Sequence, residues 1–249
     1  MEDEDGQPEI WVMGGSANAI NTATVEAYNL RTKTWRSCLP MSQRRMDAVA
    51  GVVGGRLVVA GGLAEHPNPH NNLMVHLSSV EAYTPTGWIA LPPLPYARNG
   101  FAASVLNGRL YVMGGESKKL QVLATSEETE FSWTVKADLP TARRGAAGAV
   151  HDGKLWLIGG QVCADGEHTD GDNYEGTESV LIYDTGLDSW AAGPPLPRAV
   201  ADGSATVFDG AIYLFSGEGT FVYREAAWTE MATVVGRRSW PACESMLMG

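Results

Sequence analysis

The chain has little cysteine, little positive charge and no long apolar run, and each shortage excludes a class of protein. Its three cysteines (Cys38, Cys163, Cys243) are odd in number and widely scattered among 249 residues. No two stand at metal-ligand spacing, so neither a disulfide scaffold nor a zinc knuckle is indicated, and reduced, intracellular thiols are the expected state. Lys plus Arg total 18 against 29 Asp plus Glu, for a formal charge of −11. That balance disfavours binding to nucleic acid or to an anionic membrane surface. No apolar stretch approaches the ~20 residues a bilayer span needs. The longest, 48–64, is interrupted by Arg56 and by glycines 51, 54, 55, 61 and 62. The start, Met1-Glu2-Asp3-Glu4-Asp5, is the reverse of a positively charged leader. A soluble, cytoplasmic protein is therefore expected.

Apolar residues make up 44% of the chain, beside 29 glycines and 13 prolines. That is enough for a full hydrophobic core in a turn-rich fold. The strongest signal is internal repetition. Diglycines end apolar runs at Gly14-Gly15, Gly61-Gly62, Gly114-Gly115 and Gly159-Gly160, with Ser216-Gly217 as a degenerate fifth copy. The spacings are 47, 53, 45 and 57 residues. Each pair follows a short β-branched and aromatic run (Ile10–Met13, Leu57–Ala60, Leu110–Met113, Leu155–Ile158, Ile212–Phe215), the pattern of a strand buried on both faces. Four of these runs follow a turn dipeptide, Gly54-Gly55, Asn107-Gly108, Asp152-Gly153 or Asp209-Gly210, which supplies the positive φ of a two-residue hairpin. After the diglycine comes a strand ending in Tyr and then a Trp: Tyr28/Trp35, Tyr83/Trp88, Tyr183/Trp190 and Tyr223/Trp228. The third unit keeps Trp133 without the Tyr. Each unit closes on a Leu-Pro or similar turn with Arg shortly after.

From about residue 8 onward this composite resembles the kelch repeat family, whose period is roughly 50 residues. The resemblance implies an all-β kelch β-propeller of four-stranded blades, strands A to D in chain order. Four blades are placed at 43–92, 97–138, 142–194 and 198–234, behind an acidic tail at 1–7. The first unit starts on a B-type strand, and 237–249 resembles an A strand with nothing after it. The C-terminal strand is therefore expected to complete a fifth blade with 8–39. Five blades depart from the six or seven common in the family, and a truncated sixth is the competing account. The diglycines are expected to let the backbone crowd a central channel where a Cβ would clash.

Blade topology places the B–C loops and the D–A loops on one face. Eight arginines fall in the D–A loops: Arg44, Arg45, Arg98, Arg143, Arg144, Arg198, Arg237 and Arg238. Arg45, Arg98 and Arg143 each lie 16 residues before a diglycine and so should be equivalent; Arg198 is two positions out of phase and Arg238 about one. A ring of arginines on an acidic protein is a local anion site, since the planar guanidinium suits a carboxylate or phosphate. The arginines could equally cap loop carbonyls and pack their stems on a neighbour. BTB-kelch ubiquitin-ligase adaptors look similar here and hold acidic peptide motifs with arginines at this post-proline position. The resemblance thus implies binding by Arg45, Arg98 and Arg143, helped by Asn99 and the Ser16–Asn18 segment. No BTB or BACK segment accompanies the repeats.

Two B–C insertions flank this face. Leu63–Ser79 carries His66, His70 and His76, and Gln161–Ser179 carries Asp165, Glu167, His168, Asp170, Asp172, Glu175 and Glu178. Neither matches a Ca²⁺ loop or a helical His pair, so solvated loops are expected. Kelch-type enzymes supply specific tests. No set of two Tyr, two His and a Cys for a copper radical site can be placed. No Glu is followed four positions later by Asp, so the Glu-x3-Asp-x3-His iron motif of specifier proteins is absent. Sialic-acid mutarotases would suit an arginine-lined mouth but typically carry a periplasmic signal. His151, beside the turn Asp152-Gly153, is expected to be an exposed turn residue. The reading is a monomeric, non-catalytic interaction module for a protein partner with an acidic motif, with no cofactor and no metal. A sugar-acid enzyme and a structural subunit of a larger assembly are the alternatives.

Overall fold

The computed structural model describes residues 7–17, 20–68, 70, 73–98, 100–115, 117–125, 130–163 and 174–231. The first repeat forms β1 (Glu9–Met13), a ribbon of β2 (Ser16–Ala17) and β3 (Ile20–Asn21), then β4 (Val25–Asn29) and β5 (Thr34–Ser37). The second forms β6 (Val49–Val53), β7 (Arg56–Ala60), the ribbon β8 (Leu63–Glu65) and β9 (Met74–His76), then β10 (Val80–Thr84) and β11 (Gly87–Leu91). The third is the plain meander β12 (Phe101–Leu106), β13 (Arg109–Gly114), β14 (Leu120–Thr125) and β15 (Phe131–Lys136). The fourth forms β16 (Ala147–His151), β17 (Lys154–Ile158), the ribbon β18 (Gln161–Cys163) and β19 (Tyr174–Gly176), then β20 (Val180–Asp184) and β21 (Ser189–Ala192). The fifth is β22 (Gly203–Phe208), β23 (Ala211–Ser216), β24 (Thr220–Arg224) and β25 (Ala227–Glu230).

The fold is all-β, with five blades. Four blades are four-stranded antiparallel sheets, and the first shows three strands, in the order β1-β4-β5, among the described residues. The strand expected to complete it, 237–249, lies outside them, as do residues 1–6 of the acidic tail. The four tight turns form as expected: Asn107-Gly108, Asp152-Gly153, Asp209-Gly210 and Gly54-Gly55 all sit at positive φ. Three of the runs before the diglycines, β7, β13 and β17, are the most buried strands, covered at every position but the first. Burial falls outward, and all of β5 is exposed. The gradient follows composition, because continuous apolar runs can be dry on both faces while the alternating outer strands keep one face wet.

By its internal contacts the chain divides into two compact units. Among the described residues, one comprises those up to 98 with 124–125 and 130–133, the other those within 100–123 and 134–231. In the first, Val25, Met41 and Val59 form the core with Trp11, Met13 and Trp88 against them. The second has two clusters. One joins Tyr111, Met113, Leu120, Leu155, Leu157 and Tyr183, the other Trp156, Ile158, Leu196, Val200, Leu214 and Phe221. Aromatic pairs join successive repeats: Trp11 and Tyr83 with ring centroids 4.9 Å apart, Tyr111 and Tyr183 at 6.5 Å, Trp156 and Tyr223 at 4.8 Å. In the second to fifth blades the tryptophan of the outer strand also donates its indole N–H backwards. Trp88 reaches the Leu39 carbonyl at 2.8 Å, Trp133 that of Pro92 at 2.8 Å, Trp190 that of Ala137 at 3.0 Å and Trp228 that of Pro194 at 3.0 Å. The recurring Trp is thus both wedge and tie, and the proline-rich turns present the carbonyls it needs.

One sequence expectation gains its partner here and another is corrected. The diglycines make room for a neighbouring main chain: a Cβ on Gly14 would sit 2.4 Å from the Arg45 carbonyl oxygen, and one on Gly114 2.4 Å from that of Arg143. The N–H of the second glycine then donates to the same carbonyl, Gly15 to Arg45 and Gly115 to Arg143, each at 2.8 Å. His151 is not an exposed turn residue. Its side chain is 10% exposed, because the ring packs edge-on against Trp156 and Tyr223, apolar surface that would otherwise be wet.

These contacts separate two costs of replacing glycine. Gly55, at φ 72°, has nothing within 4 Å of a built Cβ, so Gly55→Ala should lose about 1 kcal/mol from backbone strain alone. Gly14→Ala adds the clash with the Arg45 carbonyl and should lose about 3 kcal/mol or more. Urea unfolding of the two variants measures the difference.

Candidate functional site

The eight D–A arginines do not share one environment. Arg45 and Arg143 are 1% and 2% exposed and face inward. Arg45 Nη1 donates to the carbonyls of Gly61 at 2.7 Å and Ser79 at 3.2 Å, and Nη2 to Ser79 Oγ at 3.0 Å and Glu81 Oε1 at 2.6 Å. Arg143 repeats the pattern one sheet pair later. Its Nη1 donates to Gly159 O at 3.2 Å and Ser179 O at 2.9 Å, and Nη2 to Ser179 Oγ at 3.0 Å. The spacing of 16 therefore marks a fold contact, in which guanidinium groups satisfy the first glycine's carbonyl and the carbonyl opening the third strand. Arg98 is likewise buried, at 2% exposure. In Arg45 and Arg143 the stem-packing and capping alternative describes the geometry, since a guanidinium already committed to carbonyls offers little surface to a ligand; Arg98 shares their burial.

Electrostatics separate the two clamps. Burial pushes the Arg45 guanidinium down and Glu81 pulls it back. Glu81 also accepts the Ser42 N–H at 2.7 Å, and Ser79 Oγ donates to Gln43 Oε1 at 2.7 Å. The position of Glu81, opposite Val59 in the β10–β7 ladder, is taken in the fourth repeat by Leu181, opposite Leu157. Arg143 thus rests on carbonyl dipoles, and burial brings it down to about 10. Burial brings Arg98 to about 10 as well, so both remain charged at neutral pH.

The phase of Arg198 is explained by Val200. Val200 is fully buried and accepts the Gly160 N–H at 2.8 Å, the role played elsewhere by the arginine main chain. Arg198 stands outside the clamp, exposed and ion-paired with Glu230, with its guanidinium carbon 5.5 Å from the Phe221 ring centroid. Arg144 lies between the two conditions. It is half-buried, its Nε donates to Gln161 Oε1 at 2.7 Å, and its guanidinium lies 3.5 Å from the ring centroid of Tyr174. Arg44 is exposed and adds its charge to the Asn21 amide in holding the Glu65 carboxyl below the usual range, the amide being the larger cause. Arg237, Arg238 and Asn99 lie outside the described residues.

D–A and B–C loops do meet on one face within each unit. Met46 bridges to Leu63, Arg144 to Gln161 and Val200 to Thr177. The candidate surface in the second unit is therefore Arg144 with Gln161 and Tyr174 of the β18–β19 ribbon, adjoining the loop that carries Arg198 and Val200. Sequence reasoning missed Tyr174 and Gln161, which flank a variable insertion without periodicity. It also missed the serines before the third strand, although Ser79-Val80 and Ser179-Val180 repeat in register. Among the described residues no three His, Cys, Asp or Glu converge as a metal site, and no helix is long and apolar enough to cross a membrane.

The kelch motif matches residues 7–42. The chain belongs to the kelch-repeat β-propeller family. Kelch domain-containing protein 8B of human and of rat is 36% identical over 97 residues, which is 37% of this chain and 25% of the relative. Kelch repeat protein C2 of cowpox virus is 28% identical over 106 residues, 43% of this chain and 20% of the relative. The matched region thus spans about a quarter or less of these curated kelch proteins. The solved structure of YjhT superposes with a TM-score of 0.71 over 90% of this chain and 81% of that one, at 13% identity. At that identity the likeness speaks for the fold alone.

The Arg45–Glu81 pair is an interior charge contact of the first unit, with side chains 0% and 6% exposed. Glu81→Ala removes the counter-charge while the carbonyl bonds of the guanidinium remain and should cost about 1.5–3 kcal/mol of unfolding free energy, the worth of a hydrogen bond to a charged group. Asp138→Ala removes the half-exposed partner of Lys119 and should cost under about 1 kcal/mol. Chemical denaturation of the pair of variants measures both losses.

Proposed function

We propose that this kelch propeller is a non-catalytic interaction module that binds an acidic segment of a protein partner through its D–A and B–C loops. The observation that carries the reading is the setting of Arg144. Stacking on Tyr174 and the Nε bond to Gln161 fix the plane of its guanidinium while the side chain keeps part of its surface in water. A pre-oriented planar cation loses little entropy on meeting a carboxylate and favours bidentate geometry. Arg198, exposed on the adjoining loop, would exchange its pairing with Glu230 for a partner carboxylate, and Arg44, exposed on the first unit, adds positive charge to a protein of net charge −11. The buried arginines at 45, 98 and 143 enter this reading as the frame that fixes the loops, and Arg144 and Arg198 as the contact residues.

The test uses a fluorescein-labelled peptide of alternating Glu and Ser, followed by anisotropy at two salt concentrations. Arg144→Ala with Arg198→Ala should weaken binding by about 10-fold or more, with the larger loss at low salt. Equal affinity for the wild-type and doubly substituted chains would exclude this surface.

A further inference from the structure

A groove opens in the first unit, away from these loops. It has a volume of about 390 Å³ and runs between the outer strand of the second sheet, at Ile89, Leu91 and Pro92, and the start of β15, at Glu130 and Phe131, with Arg56 beside them. Three features single it out. First, Arg56 has no carboxylate partner among the described residues, and its guanidinium carbon lies 6.0 Å from the Phe131 ring centroid. Second, β11 is the outermost strand of its sheet, so one edge has no strand beside it among the described residues, and Ile89 on it is 40% exposed. Third, Gly54 in the turn before Arg56 gives up its side chain to this corner. A Cβ there would come within 2.8 Å of Thr125 Cγ2, with Phe131 Cζ at 3.9 Å.

The second and third repeats are also the ones whose sequences lack the large aromatic residues used elsewhere. Val58 stands where the other repeats have Trp11, Tyr111, Trp156 and Tyr213, and Leu123 stands where they have Tyr.

We infer that this groove is a second docking surface, and that it takes an extended peptide carrying a carboxylate next to an aliphatic side chain. Charge complementarity chooses the occupant. A stacked guanidinium with its N–H groups uncommitted calls for an acidic residue. Phe131, Leu91 and the exposed Ile89 call for an aliphatic neighbour. The free edge of β11 offers main-chain donors and acceptors to an extended chain, the usual mode of strand addition. Glu130, in no ion pair among the described residues, sets the direction by favouring a basic residue or the N-terminal side of the peptide at its end. The volume lies within the roughly 300–1,000 Å³ of formed binding pockets.

The experiment selects a random twelve-residue phage-displayed library on the wild-type chain and measures synthetic copies of the enriched peptides by fluorescence anisotropy. Enriched peptides should share an Asp or Glu beside Leu, Ile or Val, and Arg56→Glu should weaken them by about 10-fold or more. Exchanging the peptide's acidic residue for Lys should restore binding to Arg56→Glu, which an unfolded variant would not do. Ile89→Ser should weaken the same peptides with the fold intact by circular dichroism. The proposal is overturned if no acidic–aliphatic peptide is enriched, or if enriched peptides bind Arg56→Glu as tightly as wild type. Peptides that ignore Arg56→Glu and lose affinity on Arg144→Ala would support the loop surface and sink the groove. Self-association of the chain abolished by Arg56→Glu would assign the groove to a second copy and likewise overturn the peptide.

Discussion

One residue in each clamp ties three stretches of chain together. The Arg45 carbonyl accepts the Gly15 N–H of the preceding repeat, while its guanidinium holds the Gly61 and Ser79 carbonyls of its own. Arg143 does the same for Gly115 on one side and Gly159 and Ser179 on the other. A four-stranded sheet buried on both faces leaves carbonyls where its inner strands end, and a buried carbonyl without a donor is costly. A five-donor side chain fed in from the adjacent loop solves this at several acceptors at once. The diglycine is the counterpart of the same constraint, since only a residue without a Cβ lets the arginine main chain approach. The fixed separation of 16 belongs to the other half of the clamp, in which each guanidinium holds the carbonyl of the first glycine in the pair that follows it.

The clamp has consequences for function. A guanidinium enclosed at this depth is spent on the fold, and the proposed recognition surface is assigned to the neighbours it positions. Arg144 follows Arg143 directly in sequence, yet points to Gln161 and Tyr174 rather than into the core. Arg198 is released from the clamp because Val200 supplies the main-chain acceptor without a guanidinium. The graded counter-charge, Glu81 in the second repeat and Leu181 in the fourth, shows that carbonyl dipoles suffice to hold a buried guanidinium and that a carboxylate is an addition.

Much of the fold was legible because each repeat carries its own punctuation. Turn dipeptides at positive φ, apolar inner strands and the Tyr–Trp pair stand at the expected places, since each answers a local demand that no neighbour alters. Legibility failed where two different demands select the same residue. Arginine after a Leu-Pro turn reads equally as a ligand for anions or as a cap for carbonyls, and only the direction of the side chain decides between them. The same holds for His151, whose place beside a turn suggests water but whose ring completes an aromatic cluster with Trp156 and Tyr223. The partners of Arg144 were invisible because β18 and β19 pair across an insertion whose sequence carries no period.

The central claim is that the regularly spaced arginines are interior clamps and the exposed ones the recognition elements. The most direct measurement is guanidinium NMR on the ¹⁵N-arginine-labelled chain. The account predicts slowly exchanging Nη protons for Arg45 and Arg143 that do not move when an acidic peptide is added, and fast-exchanging ones for Arg198. Rapid exchange at Arg45 and Arg143, with shifts on adding the peptide, would contradict it.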